Sequence, residues 1–524
     1  MSEKQTHGAV LLGLDVHGIQ AFLFATSKLK EVIGASRIID DFTGPHKDDI
    51  PATTLRGMGL TEAKSDSPTG ENWFIPVRIG GGVVRLLLPN EAKARAFVRK
   101  MSEWALAHAT SLEFDAAWAP FDLRNGALDT VEGNLIKHIN AARQHSTRGG
   151  AFNGFPFTAP CRLTGDPATG YDGRNERLCA ASLDKRAYQS SLDDRWASLG
   201  DESIFGAFKV ANTRRPFIFN LEDMCGEEST DSYMAIVALD LNSLGTRGRE
   251  RREGMVGLAA LAASCAFVQE VSMATQQAFR DALSALASNP SSSHEFEVIR
   301  AAIDRNKGYL PLRPLVFGGD DLAFVMHGAL APRFAYALAR SLADRGFHSG
   351  VGIAFVKVKS PLSRAIELAE DLLARAKGAG REKTHIDFLL CTSEIPGDAS
   401  ERARAGGRPA RGPYTLDGFQ QLLANARTLK HDLPSSHVRG AVDGFRSSLE
   451  DGRDLLRDLR ENIERRLGGG KHATPAATAL LDTMLSDDAL AASYIDCVDL
   501  FRFLEPRPDR TAAGSSNSQA RVSA

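Results

Sequence analysis

The residues best suited to chemistry are carboxylates at the ends of apolar runs. Val316–Val325 reads as two β segments flanking Gly318-Gly319-Asp320-Asp321. Glycines let a backbone turn tightly and come close to a ligand, and this turn sets two acids at a strand tip. Asp240 lies at the end of another apolar run, Met234–Leu241. Adjacent strands would bring the three carboxylates together. Clustered acids repel one another unless a cation neutralises them, and an all-oxygen donor set suits two Mg or Mn ions. Two ions held this way activate a 3′-hydroxyl and stabilise a pyrophosphate leaving group. The expected chemistry is nucleotidyl transfer at a site of the palm type. Asp240, Asp320 and Asp321 are its metal ligands, and Gly318 and Gly319 lie at the nucleotide. Taken alone, Gly-Gly-Asp-Asp also suits an ordinary surface hairpin.

Other residues carry weaker signals. Ser360-Pro361 opens a helix whose apolar face is Leu362, Ala365, Ile366, Ala369, Leu372, Leu373 and Ala376, and Lys377 ends it. Its ammonium could hold a triphosphate as a point charge. On spacing alone, a lysine that complements the helix C-terminus is the simpler account. Asn242 and Ser243 follow Asp240 and could seat nucleotide or metal, although Asn and Ser also simply make turns. Cys161-x-x-Thr164 and Cys179-x-x-Ser182 have the shape of a zinc ribbon lacking half its thiolates, so no zinc is expected. His431-Asp432 lacks further ligands and reads as a solvated loop, and no P-loop motif occurs. Arg402, Arg404, Arg408 and Arg411 could touch RNA phosphates, though a solvated linker explains them more simply.

The elements that must position these residues recur. The first set is a strand at Ala9–Val16, a helix at Ile19–Val32, a polar stretch to Gly70, a glycine hairpin within Phe74–Leu88 and a helix at Glu91–Ala109. The second is a strand at Met234–Leu241, a helix at Gly254–Ala287, a hairpin at Leu315–Met326, a helix at Pro332–Arg345 and a strand at Gly350–Val358. Asp15 falls on Asp240, and Gly80-Gly81-Gly82-Val83 falls on Gly318-Gly319-Asp320-Asp321. This order indicates an internal duplication in which only the second copy has acids in its turn; the alternative is two unrelated α/β units with glycine hairpins.

The bulk composition bounds the rest. A chain of 524 residues exceeds one hydrophobic core, and 43% hydrophobic with 24% charged residues is a soluble globular balance. No apolar run of about 18 residues and no signal peptide stand out, so a cytoplasmic protein with no membrane association is expected. A net charge of −2 excludes a whole-chain basic field for nucleic acid. Six cysteines without a disulfide framework suit a reducing compartment.

At GLDVHGIQAFLFATSKLKEVIGASRIIDDF, RIGGGVVRLLLPN, PLRPLVFGGDDLAFVM, GIAFVKVKSPLSRAIELAEDLLARAKGAGREKTHIDF and RGPYTLDGFQQLLANARTLK the chain resembles the large palm-domain subunit of type III CRISPR effector complexes. The resemblance runs from about residue 8 to about 450. It implies an α+β fold with two ferredoxin-like palm domains and a C-terminal helical domain. The implied division is 1–145 first palm with a degenerate site, 146–225 connecting region, 226–395 second palm, 396–413 linker, 414–507 helical domain and 508–524 disordered tail. It further implies a synthetase that joins ATP 3′ to 5′ into cyclic oligoadenylates for antiviral defence. Asp240, Asp320 and Asp321 would hold two divalent ions and Lys377 would contact triphosphate. Guide and target RNA and other effector subunits are the implied partners. The first palm opens near residue 8, so the family's His-Asp nuclease activity is expected to be absent. A non-catalytic scaffold and a diguanylate-cyclase-like enzyme are the alternatives.

Overall fold

The computed structural model describes residues 8–26, 28–64, 68, 70–145, 158–190, 197, 200, 202–224, 233–287, 294–305, 308–392, 412–433, 435–467 and 475–504. Nearly all of the expected linker, with its four arginines, and all of the expected tail lie outside them.

In the first half, β1 (Gly8–Val16) leads to α1 (Ile19–Leu23), α2 (Leu29–Thr43), α3 (Ile50–Gly57) and β2 (Thr61–Glu62). The hairpin β3 (Trp73–Gly80) and β4 (Val83–Leu88) follows, then α4 (Glu91–His108), β5 (Phe114–Asp122) and α5 (Leu128–His145). The connecting region holds β6 (Gly170–Tyr171), β7 (Arg177–Leu178), α6 (Ala180–Ser190) and α7 (Glu202–Phe208). The second half runs β8 (Tyr233–Leu241), α8 (Leu244–Arg251), α9 (Gly257–Ala287), α10 (His294–Arg305), β9 (Leu312–Gly318), β10 (Asp321–His327), α11 (Ala331–Asp344), β11 (Ser349–Lys357), α12 (Leu362–Gly378) and β12 (His385–Leu390). After it come β13 (Tyr414–Thr415) and α13 (Leu416–Asp432), α14 (Ser435–Ser447), α15 (Leu449–Leu467), α16 (Pro475–Ser486), α17 (Asp488–Ala492) and α18 (Tyr494–Leu500). The fold is α+β.

The two large sheets have orders β2-β3-β4-β1-β5 and β13-β12-β11-β8-β10-β9. Read from its other edge, the second contains β9-β10-β8-β11, the same arrangement as β3-β4-β1-β5. Each is a glycine hairpin beside a central strand, with a later strand on the far side. The register repeats as well: Asp15 lies opposite Val83 as Asp240 lies opposite Asp321.

β8 is apolar almost throughout because both its faces are covered. Tyr233, Val237 and Leu239 face α9 and α11 through Phe279, Phe334 and Leu338. Met234, Ile236 and Ala238 face Ala365, Ala369 and Leu372 of α12, joined by Leu29 and Val32 of α2. The first half thus contributes to the second sheet's own core.

Four sequence expectations need correction. The helix expected at Ile19–Val32 breaks after Leu23, and α2 continues to Thr43 into the stretch read only as polar. Its buried Leu29, Val32, Ala35, Ile39 and Phe42 follow helical spacing and outweigh the polar residues between them. The helix expected at Gly254–Ala287 forms unbroken but starts only at Gly257, since Gly254 and Gly257 take φ of 74° and 56°, and α8 precedes it as a separate, unexpected element. His431-Asp432 lies in the last turn of α13, not in a loop, because buried Phe419, Leu422, Ala426 and Leu429 carry the helix as far as Asp432. Lastly, α9 has 31 residues and a mean hydropathy of 1.4 over its best window, enough by length and composition to cross a membrane. Here Phe267, Val271, Phe279 and Leu283 lie in the core against the second sheet, which accounts for the apolar face.

Candidate active site

Asp240 and Asp321 are direct partners across the antiparallel β8–β10 ladder. Directly opposite residues point to the same face with Cβ atoms about 4.5–5.5 Å apart. By alternation that face is the one shared by Ala238 and Ala323, which α12 covers. The ammonium of Lys377, in the last turn of α12, donates to the Asp240 carboxylate. Two glycines on β11 allow that contact. Gly350 lies opposite Asp240, and a Cβ there would sit 2.7 Å from Lys377 Cγ. A Cβ on Gly352 would sit 2.1 Å from the backbone oxygen of Ala369.

Asp320 occupies the turn itself, where Gly319 adopts a φ of 74°. This turn meets its counterpart from the first half. A Cβ on Gly81 would lie 3.0 Å from the Gly318 carbonyl oxygen, and one on Gly318 would lie 3.0 Å from Gly81 Cα. Arg78, on β3, reaches across to Asp320 at 3.8 Å. The Gly82 N–H donates to the Thr43 hydroxyl at 3.0 Å, tying the first turn to the end of α2. Between the two turns, α8 and α9 lies a cavity of about 540 Å³, with Arg78, Gly80, Gly81, Gly318, Gly319 and Asp320 in its wall.

The electrostatics follow from this crowding. Asp321 keeps a solvent-facing side, yet desolvation by its neighbours and repulsion from Asp320 push its carboxyl up to about 6, against a pull from Arg78. Glu370, on α12, is raised to about 7 by burial, then by Asp321 and Asp371. Burial lowers the Lys377 ammonium, and Arg381 adds repulsion. Among the described residues, no group of three or more side chains stands preassembled as a metal cage. Asp240 is held by Lys377, and Asp320 leans toward Arg78.

The first half shows the same architecture with a different charge arrangement. Asp15 stands where Asp240 does, but Val83 replaces Asp321, and the Arg85 guanidinium takes up the Asp15 carboxylate.

The structure brings together Asp240, Asp320, Asp321, Gly318, Gly319 and Lys377 and sets two other candidates apart. The Asn242 amide donates to the carbonyls of Arg381 and Lys383 at 3.2 and 3.5 Å, anchoring the loop after α12. Ser243 takes a φ of 58° at the start of α8 and is exposed. Sequence reasoning missed Glu370, Arg78 and Thr43. Glu370 was visible only as a polar residue beside Ala369 on an otherwise apolar helix face; Arg78 and Thr43 carry no local signal. In the connecting region Cys161 and Cys179 are buried, and the Thr164 and Ser182 hydroxyls each lie 3.6 Å from Cys179 Sγ.

No family model and no curated protein matches the sequence. Solved structures match its shape. Csm1 of T. onnurineus superimposes with a TM-score of 0.58 at 14% identity, over 96% of this chain and 71% of that one. A Csm1–Csm4 cassette in complex with pppApA gives 0.55 at 13% identity, over 96% and 70%. The cassette in complex with AMPPNP gives 0.54 at 13%, over 95% and 70%. Across nearly its whole length, then, this chain has the fold of Csm1, the type III CRISPR subunit.

Proposed function

We propose that this chain is an ATP-using nucleotidyltransferase that makes cyclic oligoadenylates, acting with type III CRISPR-like effector subunits in the cytoplasm. The two large sheets are its palm units, the first with a retired site, and α13–α18 form the helical domain. One observation carries the reading: Asp240 and Asp321 share one face of one ladder, and the adjoining Asp320 lines a cavity at which two glycine turns touch. Csm1–Csm4 cassettes in complex with AMPPNP, pppApA and cA3 have this fold, which supports adenylates as substrate and product.

The donor set fits divalent ions. Asp240, Asp320, Asp321 and Glu370 offer only oxygens, and burial followed by repulsion from neighbouring acids raises Asp321 to about 6 and Glu370 to about 7, a cost that a bound cation relieves. When bound, Mg or Mn supplies charge neutralisation and a more acidic hydroxyl. The chain's own residues do the positioning. The glycine turns let backbone approach phosphate, Lys377 can turn from Asp240 to a triphosphate as a point charge, and Arg78 can pass from Asp320 to phosphate from the other half.

One observation favours a scaffold without activity: Lys377 neutralises Asp240 much as Arg85 neutralises Asp15. The test is incubation of purified protein with Mg or Mn and each nucleoside triphosphate, alone and with target RNA and co-purified subunits, followed by mass spectrometry. Cyclic adenylates from the wild type and none from Asp320→Ala/Asp321→Ala are expected. Products from GTP alone would point to a diguanylate-cyclase-like enzyme. No product under any condition would leave the scaffold.

A further inference from the structure

A second cavity, of about 710 Å³, lies where α2 and α12 begin. Three separate parts of the chain wall it. Lys28 and Lys30 come from the start of α2, Arg174 and Arg186 from the connecting region, and Lys359 from the loop into α12. Phe219 and Asn220 lie beside them.

The acids in this wall are largely occupied. Arg186 holds Asp172, Glu176 at 3.3 Å and the buried Glu31 at 2.8 Å. Asp172 also accepts the backbone N–H groups of Arg174 and Glu176 at 2.9 Å each. Glu222 remains, exposed on the wall. Lys28, Lys30, Arg174 and Lys359 are exposed; Arg174 acts on the Asp172 carboxylate, while the three lysines form no ion pair with a carboxylate among the described residues. Cations gathered in one concavity repel one another, and an entering anion relieves that repulsion. The concentration is local, since the chain as a whole carries −2.

We propose that this cavity binds the phosphates of a nucleotide ligand, at a site separate from the candidate active site. Lysines act on phosphate as mobile point charges. Phe219 is half-buried in the wall, with the Arg313 guanidinium 4.6 Å from its ring centroid. The volume accommodates more than one phosphate. The same chemistry can come from a free nucleotide or from single-stranded RNA.

Full-length protein is titrated into labelled ATP and a labelled single-stranded oligoribonucleotide, with anisotropy as readout and inorganic tripolyphosphate as competitor. The variants are Lys28→Glu/Lys359→Glu, the milder Lys28→Gln/Lys359→Gln, and Asp320→Ala/Asp321→Ala, which leaves this cavity untouched. Circular dichroism melts confirm that each is folded. Charge reversal is expected to weaken at least one ligand about tenfold at low salt, with a smaller loss for the glutamine pair and none for the aspartate variant. Loss confined to the oligonucleotide identifies a strand, and loss confined to ATP a free nucleotide. Unchanged affinity for both after charge reversal overturns the proposal, as does loss of the same binding in the aspartate variant. The result does not depend on whether the protein makes product.

Discussion

At the residue scale, the site is a group of like charges held together by packing. Lys377 is the principal cation on the α12 side, and it touches Asp240 only because α12 ends there. Lys377→Ala is expected to lower cyclic adenylate formation about 10²-fold, the scale seen when an electrostatic donor is removed from a reaction centre; full activity in a product assay would remove Lys377 from the site. Glu370 gives a pH test. Its folded value is about 7, above the ordinary value of about 4.3 for the unfolded chain. A raised acid contributes stability that is fully present below the unfolded value and lost as pH rises through the folded one. Glu370→Gln should therefore gain stability relative to wild type between about pH 4 and pH 7, in metal-free urea unfolding. A difference that stays flat across that range would show that Glu370 is not desolvated by α12 and Asp321.

At the element scale, the contact between α12 and the second sheet decides the geometry. Gly350 and Gly352 are adjacent alternating positions on β11 with different neighbours. A Cβ at Gly352 meets helix backbone at 2.1 Å, whereas one at Gly350 meets first the flexible stem of Lys377 at 2.7 Å and reaches helix backbone, at Leu373, only at 3.3 Å. Gly352→Ala is therefore expected to cost about 1–3 kcal/mol of stability, the usual range for overpacking. Gly350→Ala should cost less than about 1 kcal/mol, since a stem can move, yet displace Lys377 and lower activity. Urea unfolding with product assays on both variants separates the two effects; equal stability losses would show that α12 shifts as a body. Of this arrangement, the apolar stripe of α12 and the β8 and β10 runs were legible in the sequence, because side-chain periodicity is local. The run of α2 to Thr43 was not, because polar residues interrupt its buried face.

At the scale of the whole molecule, the two halves meet at their glycine turns, and α2 and α12 both run from the basic cavity toward the candidate site. Asp40, Gly44, Pro45 and His46, at the far end of α2, line the cavity between the turns, and Lys377 ends α12. Rigid helices that join two sites can couple them. Tripolyphosphate held in the basic cavity is expected to change the affinity for ATP about fivefold or more, with the reciprocal change for tripolyphosphate. Calorimetric titrations in Lys28→Glu/Lys359→Glu should lose the effect; identical affinities in both orders would show that the cavities act independently.

The sequence by itself determined which carboxylates stand at strand tips and that the pattern occurs twice, once with acids in its turn and once without. Both properties are local: a turn needs its glycines, and a strand alternates its faces. Tertiary structure alone decided the company those acids keep. Lys377 neutralises Asp240 from more than a hundred residues away, Arg78 reaches Asp320 from the other half, Glu370 joins them from α12, and Arg85 replaces the missing partner of Asp15. Charge partners are chosen by which surfaces pack together, and no spacing along the chain encodes that choice.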